Sequence, residues 1–156
     1  MRLFVAIDIP EHIKQEIVDF YKIFDKYFDG NFVEKEKLHI TIIFIGNRIT
    51  DVDFIKSKIK DYKGEVKLEG IDFFYSGKFA RVAFISANEE LTNLYKSLSE
   101  SLSLPIEDFR PHLTICRIKK VFRDLNELKL NFKYQAKFTF DKLLLLNSDF
   151  KKYYEV

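Results

Sequence analysis

Cysteine is nearly missing from this chain. The one thiol, Cys116, cannot close an internal disulfide, so nothing suggests an oxidising compartment or a stapled scaffold. Tryptophan is absent, and with only three prolines and five glycines no Pro-, Gly- or Ser-rich linker divides the chain. Excess charge is also missing: a net +2 is too small to announce nucleic acid by itself. The apolar opening, Leu3 to Ile7, is too short for a signal peptide, and Leu143 to Leu146 has the length of a strand rather than a membrane span. A soluble, cytoplasmic protein without membrane contact is expected.

What is present describes one ordinary globular domain. The chain has 156 residues, 47% hydrophobic and 32% charged. Its excess is phenyl: 17 Phe and 8 Tyr, most of them core, with rings to spare for stacking bases. Arg110, Arg117, Lys119, Lys120 and Arg123 form a local basic cluster, either a solvated strand end or a contact surface.

Two of only three histidines occur in near copies of one pattern, Leu38-His39-Ile40-Thr41-Ile42-Ile43-Phe44-Ile45-Gly46 and Phe109-Arg110-Pro111-His112-Leu113-Thr114-Ile115-Cys116-Arg117. Each sets His-x-Thr in an apolar, β-branched run, which predicts a strand. Alternation along a strand turns His39 with Thr41, and His112 with Thr114, to one face; by the same parity Cys116 joins the second pair and lines the groove, or it takes the commoner role of a small buried hydrophobe. His12 lies outside the repeat and reads as a surface residue.

The surrounding elements repeat as well. A strand is expected over Arg2 to Ile9, then a helix carrying Ile13, Ile17, Phe20, Phe24 and Phe28, stopped by Asp29-Gly30-Asn31. After the first His-x-Thr strand come a helix over about Asp51 to Tyr62, capped by Thr50 or Asp51, and a strand from Glu65 to Tyr75. The order begins again with a strand from Phe79 to Ser86 and a helix capped by Asn88 that carries Leu91, Leu94, Leu98 and Leu102. The second His-x-Thr strand, a short helix over Arg123 to Leu128 and a long strand from Gln135 to Leu146 follow, with Tyr153 to Val156 as a possible edge. The expectation is an α+β domain over 1–156, with repeat halves of roughly 1–78 and 79–156. Two pseudo-symmetric lobes, each a mainly antiparallel sheet with outer helices, would enclose a central cleft carrying both His-x-Thr motifs.

A zinc site wants three or four His, Cys, Asp or Glu ligands, and each copy offers one His, so no metal and no cofactor is expected. No Gly-x-Ser-x-Gly turn offers a serine nucleophile. Paired imidazoles, which titrate near pH ~6.5, suit general acid and general base work on a phosphodiester, with threonine hydroxyls donating to the charged oxygens.

The two motifs, Phe-Arg-Pro before the second and Arg117 after it, together with Arg2 to Asp8, resemble the 2H phosphoesterases. More narrowly they resemble the RNA 2′,3′-cyclic phosphodiesterases, long called 2′-5′ RNA ligases. That resemblance covers essentially the whole chain. It implies hydrolysis of a 2′,3′-cyclic phosphate on RNA ends or nucleotides to the 2′-phosphate; no metal is required for that chemistry, and a monomer is expected. In it His39 is the acid for the O3′ leaving group, His112 the base that activates water, and Thr41, Thr114 and Arg117 bind substrate. By pseudo-symmetry the residues alone allow the reverse assignment. Reversible 2′-5′ ligation at the same site, and a non-catalytic RNA-end-binding module, are the alternative functions. Phe4 is placed either in the core or in the groove as a base-stacking ring. Phe44 occupies in the first copy the position that Arg117 holds in the second. Arg110 either contacts RNA or pairs with Asp108.

Overall fold

The computed structural model describes residues 2–149 and 153–156. Alternation and continuous apolar runs produce two antiparallel sheets. The first has the order β3 (His39–Gly46), β1 (Leu3–Asp8), β8 (Leu144–Asn147) and β9 (Tyr154–Glu155). The second runs β2 (Phe28–Phe32), β6 (His112–Val121), β5 (Phe79–Ala87), β4 (Gly64–Ser76) and β7 (Gln135–Phe140). Helices α1 (Glu11–Asp19), α2 (Tyr21–Phe24), α3 (Val52–Ile59), α4 (Leu91–Ser101) and α5 (Leu125–Asn131) complete the α+β architecture.

The duplication shows in the pairing. β1 takes β3 as partner on one side, and β5 takes β6 in the same antiparallel sense. The third strand of each half then crosses over: β4 lies between β5 and β7, while β8 lies beside β1. Sheet membership therefore does not follow a division near residue 78. One continuous core, including Val5, Ile7, Ile13, Ile17, Ile40, Ile42, Ile85, Leu98, Leu113 and Ile115, fills the faces turned away from the groove. Phe4, Ala6 and Leu146 form a small separate cluster on the other side of β1.

Three expectations need correction. The first helix stops at Asp19, α2 adds one further turn, and Phe28 opens a strand instead of ending a helix. The four-residue spacing of Phe24, Phe28 and Phe32 survives as a stack, with centroids 6.3 and 5.7 Å apart, but pairing with β6 overrides the helical period. Gly30 sits within that strand, because a Cβ there would lie 2.1 Å from the Arg117 carbonyl oxygen.

The expected long strand from Gln135 to Leu146 is two strands in different sheets, separated by the exposed pair Asp141 and Lys142. Its sequence already changes character there, from the alternation of β7 to the continuous leucines of β8. Asn88 does not cap α4 with its side chain. It accepts from the Lys67 amide at 2.8 Å and donates to the Glu65 carbonyl at 3.0 Å, clamping β4. Asp51 does cap α3, accepting from the Phe54 amide at 3.1 Å.

Candidate active site

β3 and β6 carry the two motifs into one groove, and the backbone holds each imidazole in the same way. Nδ1 of His39 lies 2.6 Å from the Lys37 carbonyl oxygen, and Nδ1 of His112 lies 2.7 Å from that of Arg110. A carbonyl can only accept, so Nδ1 carries the hydrogen in both rings and Nε2 is left as the atom that titrates. Nε2 of His39 stands 3.0 Å from the Thr41 hydroxyl, which donates to it when the ring is neutral.

The strands share a second device. Register along β1 and β3 passes from Val5↔Ile43 to Ala6↔Thr41 and skips Ile42; along β5 and β6 it passes from Ala83↔Cys116 to Phe84↔Thr114 and skips Ile115. Each is a bulge three residues after the histidine. A bulge adds one residue to one strand and so reverses the side-chain parity beyond it. Ile43 and Cys116 consequently turn into the core, while Phe44 and Arg117 turn out with the histidines. This corrects the expectation that Cys116 shares the face of His112: it is fully buried, and burial pushes its thiol up to about 12. The same displacement delivers Arg117 to the site. Phe4↔Phe44 and Val82↔Arg117 are matching register pairs, so Phe44 does occupy the place in the first copy that Arg117 holds in the second.

His39, Thr41, His112, Thr114 and Arg117 together line one cleft of about 140 Å³. Val33, Lys37 and Tyr153, which no spacing rule singled out, complete its wall. A larger cavity of about 590 Å³ adjoins it, sharing His39, Thr41 and Arg117 and adding Phe4, Phe44 and Arg2. On another flank, a pocket of about 250 Å³ shares Thr41, Phe44 and His112. Phe4 is both packed and groove-lining. It is 4% exposed, yet its ring packs 5.1 Å from that of His39 and lines the large cavity. Tyr153 meets His39 edge-on at 5.1 Å. His112 is walled by Phe74 and Phe84, at 5.0 and 5.3 Å.

Burial among these rings lowers the pKa of both histidines. For His39 the hydrogen bond to the Lys37 carbonyl and the charge of Asp8 oppose that shift, and Lys14 and His112 add to it. For His112 the Arg110 carbonyl opposes burial, and the Arg110 charge adds to it. Arg110 pairs with Asp72 at 2.8 Å rather than with Asp108, and its guanidinium lies 4.7 Å from the Phe84 ring centroid. His12 is exposed on α1. Among the described residues no group of three or more His, Cys, Asp or Glu is gathered closely enough to hold a metal ion.

The sequence profile of the LigT-like phosphoesterases matches residues 7–84. An RNA 2′,3′-cyclic phosphodiesterase of Methanocaldococcus jannaschii is 39% identical over 128 residues, spanning 76% of this chain and 72% of the relative. The chain belongs to the LigT-like phosphoesterase family. A second relative, the RNA 2′,3′-cyclic phosphodiesterase of Archaeoglobus fulgidus, is 31% identical over 130 residues, 77% of this chain and 74% of that one. The family fold is equally plain among solved structures. A protein of Thermus thermophilus superposes with a TM-score of 0.78 at 20% identity, covering 100% of this chain and 95% of its own. E. coli LigT complexed with 3′-AMP gives 0.74 at 20% identity, covering 99% and 94%. The described part of this family member contains no helix long and apolar enough to cross a membrane.

Proposed function

We propose that the protein is a 2′,3′-cyclic phosphodiesterase acting on RNA ends or nucleotides, and that it works without a metal through His39 and His112. The observation that carries this is the matched tethering of the imidazoles: both Nδ1 atoms are bound to backbone carbonyls, and both rings line one cleft with two threonines and an arginine. The names of the relatives supply the substrate class.

The reaction needs one proton taken and one given. Nε2 of His112 removes a proton from water, and the water oxygen forms a bond to phosphorus. The P–O3′ bond breaks, and O3′ takes the proton from Nε2–H of His39. O2′ stays on phosphorus, so the product is a 2′-phosphate. The charge that gathers on the non-bridging oxygens falls to the hydroxyls of Thr41 and Thr114 and to Arg117. The assignment of acid and base follows the resemblance to the family; of the neighbouring charges, Asp8 supports a protonated His39 and Lys14, paired with Asp8 at 3.1 Å, opposes one, while Arg110 opposes a protonated His112. Protonation of His39 also frees Thr41. Its hydroxyl no longer donates to Nε2, so its hydrogen turns to a phosphate oxygen while Nε2–H is directed at O3′.

Product analysis tests the reading. In EDTA, a nucleoside 2′,3′-cyclic phosphate should yield only the 2′-phosphate. A 3′-phosphate would reverse the assigned leaving group, and strict dependence on an added divalent ion would overturn the metal-free mechanism.

A further inference from the structure

A second cavity, of about 410 Å³, shares no lining residue with the histidine cleft and lies where the larger sheet divides. β5 and β6 stay paired from Ser86↔His112 to Val82↔Arg117. Beyond that point the two part company. β5 stays with β4 through Tyr75↔Ala80 and Ser76↔Phe79, while β6 follows β2 through Asp29↔Lys120 and Phe28↔Val121. Buried Ala80, Ile118 and Leu125 contribute the apolar lining of the gap.

Apart from Val121, its remaining lining is aromatic and cationic. Tyr75 and Phe79 are 54% and 66% exposed, large rings left in water on the β4–β5 hairpin. Lys78, Arg81, Lys119 and Lys120 stand among them, and among the described residues no aspartate or glutamate lines the cavity. Nor, among the described residues, does any of these four cations form an ion pair. The Arg81 guanidinium lies 5.2 Å from the Phe79 ring centroid, and just beyond the cavity Lys120 lies 5.7 Å from that of Phe122. Glu127 in the nearby helix α5 is already held by Arg123 at 2.7 Å. Unpaired cations beside exposed ring faces suit one polymer in particular: single-stranded nucleic acid, with phosphates for the cations and bases for the rings.

β6 joins this cavity to the catalytic groove. Thr114 and Arg117 line the groove, and Lys119 lines the cavity, roughly 16 Å along the strand from Thr114 at about 3.3 Å per residue. We infer that the gap between the β4–β5 hairpin and the end of β6 is a second RNA-binding site, taking unpaired nucleotides upstream of the reacting 3′ end. Phe79 and Tyr75 stack bases there, and Arg81, Lys119 and Lys120 hold phosphates. The inference rests on the reading of the groove as a site for RNA ends, and it assigns RNA strands, not free nucleotides, as the substrate the whole surface fits.

The test is a binding measurement that needs no catalysis: fluorescence anisotropy of a labelled, unstructured ten-nucleotide RNA with a plain 3′-hydroxyl. The double variants Tyr75→Ala/Phe79→Ala and Lys119→Glu/Lys120→Glu should each weaken binding by about 10-fold or more. Hydrolysis of a nucleoside 2′,3′-cyclic phosphate should be unchanged in both, which also shows that they are folded. Unchanged RNA affinity in the aromatic variant would overturn the inference. So would a loss confined to the charge variant and matched by an equal loss for heparin, which would mark a general anion surface. Failure of the wild-type protein to hydrolyse the mononucleotide would count against the proposed function alone, because the binding comparison does not depend on it.

Discussion

His39 and His112 are shifted in pKa in the same direction by their surroundings. Burial holds both pKa values below the ordinary ~6.5, and an anionic phosphate entering between them would raise both. A plot of kcat/KM against pH should therefore be bell-shaped with its maximum below about pH 6.5, since the limbs report the free protein's acid and base. A maximum above pH 8 would contradict it. The same shifts affect stability. An unfolded chain binds more protons than the folded one between the folded pKa values and ~6.5, so stability falls as pH drops through that window and is fully present above it. Urea midpoints at pH 5.5 and 7.5 should differ in this sense, and His39→Gln/His112→Gln should reduce the difference. Cys116 has the opposite character. Fully buried and with its thiol pushed up to about 12, it should resist iodoacetamide at pH 8 until the chain unfolds. Rapid labelling of the native protein would contradict that placement.

The twin bulges are the elements that turn a sequence pattern into a site. His-x-Thr was legible because residues two apart on a strand share a face. The contribution of Arg117 was legible only by resemblance, since five residues from a histidine is the wrong parity on a regular strand. The bulges at Ile42 and Ile115 reverse that parity, and they leave one trace in the sequence: an apolar doublet, Ile42-Ile43 or Ile115-Cys116, where alternation would put a polar residue. Strand β2 was hidden for a different reason. Its phenylalanines keep a helical spacing, and Asp29-Gly30-Asn31 looks like a helix stop, although β6 claims the segment as a sheet edge. Gly30 there should not tolerate a side chain. Gly30→Ala drives a methyl group into the Arg117 carbonyl, so it should cost about 1–3 kcal/mol in denaturant unfolding and raise KM through Arg117. A variant with unchanged stability and KM would show that β2 does not support that part of the site.

At the scale of the whole molecule, duplication and exchange act together. The repeated order of strands and helices was readable from hydrophobic spacing, and the α+β architecture with two antiparallel sheets follows it. The crossing of the third strands was not readable, because the break at Asp141 and Lys142 looks in sequence like a minor interruption of one long strand. In three dimensions it sends β7 and β8 to different sheets, so that each half of the chain completes the sheet of the other. β3 and β6 are thereby set in related frameworks, with their imidazoles presented to one cleft.

The claim that these two rings do the chemistry is tested most directly by the rate of nucleoside 2′,3′-cyclic phosphate hydrolysis in His39→Ala and His112→Ala, measured beside their unfolding midpoints. Each variant should stay folded and lose about 10²-fold or more in kcat. Full activity in either folded variant would contradict the two-histidine mechanism.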